Sequence, residues 1–279
     1  MDTGPIVVTN DDGIDSPGIA RLIDALDPLG EVIVVAPSSN QSAVGRAIDA
    51  SATIEEHPLG IAVDGSPATC VVAATSALDL DPAVIVSGIN KGANLGTSIL
   101  GRSGTIGAAV EAAHLQIPSI AVSAYVPFER IQGDFHGFNP AFEAYSPAAI
   151  VARQLVEWVL EAGGLPDEVD YLNVNAPLTD DLVEPLIRFT RPADGYHTIA
   201  EREGDHLELY DRQFELVHTG ELSGDLDTDR GTLSQGQISI SPMQLPEQPL
   251  DASARQTVGH MLFGTHPVRL AELTPSGVE

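Results

Sequence analysis

Lysine is nearly absent from this sequence. Lys91 is the only one in 279 residues, and 13 Lys plus Arg face 40 Asp plus Glu, for a formal charge of −27. So few cations leave no basic face for phosphate backbones, and nucleic-acid binding is disfavoured. Cysteine is equally scarce. The single Cys70 excludes an intrachain disulfide and a thiolate metal cluster, and is expected as a small core hydrophobe. No apolar run approaches the roughly 18 residues of a membrane span. The start Met1-Asp2-Thr3-Gly4-Pro5 lacks the basic and apolar regions of a secretory signal. A cytoplasmic protein without a membrane partner is the expectation. Also missing are a Gly-x-Ser-x-Gly elbow, a Gly-Lys-Ser/Thr phosphate loop and a Gly-x-Gly-x-x-Gly turn after the first strand. The eight histidines are scattered without metal-ligand spacing.

Acidic charge is what the chain has in excess. Self-repulsion of that size destabilises a compact state in dilute salt. At about 1 M salt the Debye length falls to about 3 Å and screens most surface charge pairs. The acidity therefore reads as a halophile's solvated surface. The alternative is an acidic protein that binds basic partners.

The stretch from Ile6 to Asp15 organises the rest. Ile6–Thr9 is a short buried strand that runs into Asn10-Asp11-Asp12-Gly13, and Ser16-Pro17 then carries a helix-start signal. Two adjacent carboxylates thus stand in a strand-to-helix turn, where open α/β sheets bind ligands. Further strands are expected at 31–36, 83–87, 119–124 and 170–175, with short strands within 46–64. Helices should start at Ser66-Pro67, Ile106 and Ser146-Pro147. An aromatic-bearing insertion, Pro127 to Tyr145 with Phe128, Phe135, Phe138 and Phe142, suits either a subunit contact or a locally packed loop. The alternation predicts an α/β fold: a Rossmann-like three-layer αβα sandwich on a mainly parallel sheet. Residues 1–185 would form that catalytic domain. After about residue 186, strand-like pieces near 187–190, 207–210, 214–218 and 238–241 alternate with acidic turns. They predict a C-terminal hairpin and extended-arm region over 186–279. Asp225-x-Asp227-x-Asp229 fails as a calcium loop, with Arg230 at the sixth position and Gly236 at the twelfth. It reads as a solvated acidic turn.

A parallel sheet gathers its carboxyl-end loops on one edge. Asp11-Asp12, Ser42, Asn90 to Asn94 and Ser103 to Thr105 all lie on such loops. Two carboxylates with neutral Ser and Asn oxygens make an all-oxygen site for a hard divalent cation. Ser103-Gly104-Thr105 before a helix is a ready anion site. Together they suit phosphate-ester hydrolysis, in which a metal polarises the phosphoryl group and activates water.

Five segments carry a resemblance: Val7 to Ile14, Val35 to Ser42, Val86 to Gly96, Ser103-Gly104-Thr105 and Asn173-Val174-Asn175-Ala176-Pro177, with a weaker echo at Ser239 to Pro242. In this order and spacing they resemble the SurE family of metal-dependent nucleoside monophosphate phosphatases, over roughly residues 5–177. The resemblance implies metal ligands at Asp11, Asp12, Ser42 and Asn90, and phosphate contacts at Asn94, Ser103, Gly104 and Thr105. It implies one Mg²⁺ or Mn²⁺ per subunit, with Asp11 and Asp12 catalytic. The substrates would be nucleoside 5′-monophosphates, with 3′-monophosphates a further candidate. It also implies a homodimer or homotetramer that exchanges the C-terminal part. Two positions depart from the family pattern: Arg102 stands where Tyr is common, and Thr69 where Asp is favoured. Arg102 either adds a charge-assisted phosphate contact or points outward to a surface carboxylate. The rival readings are an aspartyl-phosphate phosphatase and a non-catalytic nucleotide-sensing module.

Overall fold

Ile6–Thr9 forms strand β1, and all four of its residues are buried. A strand apolar on both faces needs a layer on each side, and the chain supplies both. The computed structural model describes residues 4–126, 138–179, 185–218 and 224–245. After β1 come α1 (Pro17–Leu26), β2 (Val32–Pro37), β3 (Ile54–His57), β4 (Gly60–Val63), α2 (Pro67–Val72) and β5 (Val84–Lys91). Next are α3 (Thr97–Leu100), α4 (Gly104–His114), β6 (Ser119–Tyr125), α5 (Ser146–Ala162) and β7 (Tyr171–Pro177). The last described elements are β8 (Ile187–Phe189), β9 (Thr198–Glu203), β10 (His206–Asp211), α6 (Gln213–His218), α7 (Asp229–Ser234) and β11 (Ile238–Met243).

Nine strands make one sheet in the order β3-β4-β2-β1-β5-β6-β7-β11-β8. The central run from β4 to β7 is parallel throughout, whereas β3 on β4 and β11 on β7 are antiparallel. This is the α/β sandwich that the alternation predicts. On one face Ile6, Val8, Val86 and Val122 pack under Ile19, Leu22 and Leu26 of α1 and Ala148, Ala152 and Val156 of α5. On the other, Val7, Val35 and Ile85 meet Cys70 and Val71 of α2 and Ala108 and Ala112 of α4. Alternate residues of β1 thus serve opposite layers. Cys70 is the core hydrophobe expected of it, fully buried.

The helix starts follow the local chemistry. Ser16 and Ser66 accept from the amides of Ile19 and Thr69, each with Pro at the first turn. Gly163, at φ +76, ends α5 in the left-handed conformation that glycine adopts without cost.

Within 186–245, β8 and β11 join the main sheet, while β9 and β10 pair with each other as the expected hairpin. The expected strand at 214–218 is instead the helix α6. Val217 of that helix is buried in a small cluster with Leu95 and Leu233. Five residues with three apolar side chains cannot distinguish the two periods, and packing decides. The chain divides into compact units at Gln244/Leu245, and residues 246–279 lie outside the described residues. So do Phe128 and Phe135. Of the insertion's other aromatics, Phe138 packs on the main core, and Phe142 carries the Arg21 guanidinium 5.3 Å from its ring centre.

Candidate active site

The order β2-β1-β5 means the chain leaves β1 to one side and returns on the other. That reversal opens a crevice between β1 and β5, beyond their carboxyl ends. The turn after β1 is built by Asn10. Its amide donates to Gly13 O at 2.9 Å and Ser16 Oγ at 2.8 Å, and its Oδ1 accepts from Gly13 N at 3.2 Å. Gly13 sits at φ +99, a conformation that disfavours any side chain. Asp11 and Asp12 are therefore presented by a fixed turn at the head of the crevice.

Asp11 is buried, and its Oδ1 accepts from Thr105 Oγ1 at 2.7 Å. The backbone amides of Gly104 and Thr105, at the start of α4, also serve this carboxylate. Ser103 caps the same helix end, accepting from Ile106 N at 3.1 Å. The positive end of α4 thus faces Asp11 directly, and the expected metal and phosphate residues share donors. Gly104 makes the approach possible: a Cβ there would lie 2.9 Å from Asp11 Cβ and 3.1 Å from Asp11 Oδ2. Burial raises the Asp11 pKa, although the helix-end donors oppose the shift.

Asp12 Oδ2 accepts from Lys91 N at 2.7 Å, at the end of β5. Burial, followed by repulsion from Asp11, pushes its pKa up to about 7, against the opposing pull of Lys91. Two adjacent carboxylates whose charged forms are both disfavoured by burial make the local need for a cation plain. Asn90, the residue before Lys91, donates its Nδ2 to Gly92 O at 2.6 Å, which leaves Oδ1 as its acceptor. Ser42 is exposed, and its hydroxyl donates to Asn40 Oδ1 at 2.6 Å. Its loop is tied to the site because Gln41 N donates to Asp11 O at 2.7 Å. Two carboxylates with amide and hydroxyl oxygens fit a hard divalent ion. Among the described residues there is no cluster of three or more His, Cys, Asp or Glu side chains, so a metal site here depends on those neutral oxygens. A cleft of about 400 Å³ opens beside Asp12, lined also by Ser38, Asn40, Lys91, Asn139 and Tyr145.

Asn94 sits deeper than a surface phosphate ligand would. Its Nδ2 donates to Ser123 Oγ at 2.8 Å, its N to Asn175 Oδ1 at 2.7 Å, and its carbonyl accepts from Asn173 and Asn175. One Nδ2 hydrogen makes none of these bonds, and the rest of the residue anchors its loop. Asn173 and Asn175 are the supporting residues that sequence reasoning quoted without assigning a role. Their alternation along β7, two residues apart on the same face, is the signal that finds them.

Three side chains differ from expectation. Asp229 is fully buried rather than solvated. It accepts from Gly96 N at 2.7 Å, Ala193 N at 2.9 Å and Arg230 N at 2.6 Å, whereas Asp225 and Asp227 are exposed as predicted. Arg102 takes neither expected course: its Nη1 donates to Thr198 Oγ1 at 2.7 Å and its guanidinium stacks on Tyr196. Thr69 donates to Asp49 Oδ2 at 2.9 Å, so Asp49 brings a carboxylate to the corner where the family pattern places one.

Comparison with known proteins identifies the family. The family described as Survival protein SurE matches residues 6–198. The chain is 44% identical to the 5′-nucleotidase SurE of Halobacterium salinarum, over 88% of this chain and 93% of that one. It is 42% identical to that of Natronomonas pharaonis, over 86% and 93%. The crystal structure of the SurE protein from Aquifex aeolicus superposes with a TM-score of 0.72 at 29% identity, covering 92% of this chain and 99% of that one. With the family's motifs gathered at one sheet edge and its fold around them, the chain belongs to the SurE family.

Proposed function

We propose that the protein is a divalent-metal-dependent 5′-nucleotidase, releasing phosphate from nucleoside monophosphates. One observation carries the reading: a carboxylate pair at the crevice between β1 and β5, Asp12 half-buried and Asp11 buried and bonded to Thr105 at 2.7 Å at the N-terminus of α4. The 5′-nucleotidase relatives in halophilic archaea support it. Asp11, Asp12, Ser42 and Asn90 would hold one Mg²⁺ or Mn²⁺ per subunit. When bound, such a cation would supply charge neutralisation, polarisation of the phosphoryl group and a lowered pKa for water.

The remaining chemistry belongs to the chain's own groups. The Ser103 hydroxyl hydrogen and the second Asn94 Nδ2 hydrogen would be donors to the phosphate oxygens, whereas Gly104 N, Thr105 N and the Thr105 hydroxyl, which serve Asp11, would contact phosphate only in exchange for that carboxylate. Such donors are fixed before substrate arrives, because Ser103 caps the helix and Asn94 is held by Asn173 and Asn175. Asp11 would orient the attacking water and take its proton. Action on 3′-monophosphates, and a dimer or tetramer that exchanges the 186–279 region, complete the proposal.

The test is phosphate release from AMP in about 2 M KCl, the screened regime, with Mg²⁺ or Mn²⁺ and then with EDTA. Turnover that is lost with EDTA and in Asp11→Asn is the expected result. Turnover that survives both would place the chemistry elsewhere, and a trapped phosphoaspartate would show Asp11 or Asp12 to be a nucleophile.

A further inference from the structure

Residues 193–198 lie directly against the loops on the phosphate side. Thr97 N donates to Ala193 O at 3.0 Å, and a Cβ on Gly96 would lie 2.9 Å from that same oxygen. Asp229 locks the contact from α7, with one carboxylate oxygen on Gly96 N and the other on Ala193 N. Arg230 adds a bond from Nη1 to Asp194 O at 3.0 Å. A fully buried acid that accepts three backbone donors fixes both segments, since its removal would leave those N–H groups unsatisfied.

The segment so fixed brings Tyr196 beside Arg102, the residue immediately before Ser103. The Arg102 guanidinium carbon lies 5.0 Å from the ring centre of Tyr196, and the hydrogen bond to Thr198 prevents it from swinging away. Tyr196 is nevertheless 65% exposed. A large ring stacked by a cation yet open to water contributes little to the core. It does have the form of a stacking platform, which takes any base because every base has a π-face.

We infer that Tyr196, held by Arg102 next to the Ser103-Gly104-Thr105 end of α4, is the surface on which the base of the nucleoside monophosphate stacks. The inference rests on the nucleotidase reading and deepens it. A phosphate seated at the helix end fixes one end of the substrate, and the nucleoside must extend outward along the neighbouring surface. Arg102 adjoins the donors at that end, and the ring it carries is the next surface along. Stacking of this kind makes the enzyme tolerant of base identity but dependent on a base being present. Arg102, standing where the family pattern has Tyr, would then hold the platform rather than contact the phosphate.

The experiment compares AMP with ribose 5-phosphate, the same substrate without its base. Wild type, Tyr196→Phe, Tyr196→Leu and Tyr196→Ala are assayed with saturating metal, after circular dichroism has shown each to be folded. Loss of the ring in Tyr196→Leu and Tyr196→Ala should lower the kcat/KM ratio of AMP to ribose 5-phosphate about tenfold, through KM. Tyr196→Phe, which keeps the π-face, should hold the ratio within about twofold of wild type. Equal ratios in wild type, Tyr196→Leu and Tyr196→Ala would overturn the inference while leaving the nucleotidase reading intact. A wild-type enzyme that hydrolyses neither substrate would overturn both.

Discussion

Replacing Gly104 with alanine sets two effects of known size against each other. In an exposed helix the change gains up to about 1 kcal/mol of propensity, and less in the first turn, where Gly104 sits. Against it, the new methyl would stand 2.9 Å from Asp11 Cβ and 3.2 Å from Pro67 Cγ. Carbon pairs rest at about 3.5–4.0 Å, so Asp11 and α4 must separate by roughly 0.5–1 Å. Overpacking of this kind costs about 1–3 kcal/mol, part of which the propensity gain offsets. The net stability loss should therefore be modest, about 1–2 kcal/mol. Catalysis should suffer far more, because misplacing a reacting group by about 1 Å costs on the order of a hundredfold. The assay pairs kcat for AMP at saturating metal with a urea unfolding curve. Gly101→Ala is the control: nothing lies within 4 Å of its Cβ, and its φ of −76 suits any residue. A Gly104→Ala enzyme with kcat within about twofold of wild type would refute the reasoning, since the close approach of helix and carboxylate would then be dispensable.

The carboxylate pair makes metal-free protein sensitive to base. The Asp12 pKa is raised from 3.8 to about 7, so the folded state binds the proton that the unfolded chain releases. Its stabilising effect is complete below about pH 4 and is lost as pH rises through about 7, up to roughly 4 kcal/mol. Urea midpoints in EDTA should accordingly fall between pH 5 and 8, and Mg²⁺ should restore them at pH 8; a flat profile without metal would contradict the burial argument. Cys70, the only thiol, has its pKa pushed up to about 12 by burial. It should react with a disulfide reagent only as fast as the protein unfolds, and rapid native labelling would show α2 to be open. With a charge of −27, folding and activity should both rise with KCl, so full stability in salt-free buffer would refute the salt-adapted reading.

What the sequence made legible was local. Ile6–Thr9, the Asp pair, Gly13 and Ser16-Pro17 each act within one turn of chain, and the structure places each of them as expected. Ser103-Gly104-Thr105 was readable as a helix start for the same reason. The features that escaped depend on distant partners. Asp229 looks like part of a hydrated acidic turn until Gly96 and Ala193, 133 and 36 residues away, bring it their amides. Nothing in its own neighbourhood announces that. The bond from the Thr105 hydroxyl to Asp11 also joins residues 94 apart. No local pattern shows that β11 runs antiparallel to β7, because the Ile-Ser-Ile-Ser alternation of so short a strand does not fix the direction of its neighbour.

That last strand constrains the order in which the sheet can be completed. Among the described residues β8 pairs only with β11, which follows it by about fifty residues and bridges it to β7. During synthesis the run from β1 to β7 can assemble while β8 has emerged but has no neighbour to bond. Thr190, whose hydroxyl meets Ser239 and Ser241 at 2.8 Å, waits with it. Sheet closure on that side is thus a late, long-range event, and such events slow folding. Until residue 238 is delivered, the flank of β7 remains an uncapped template, so the protein's exposure to misassembly is set by how quickly the ribosome supplies β11.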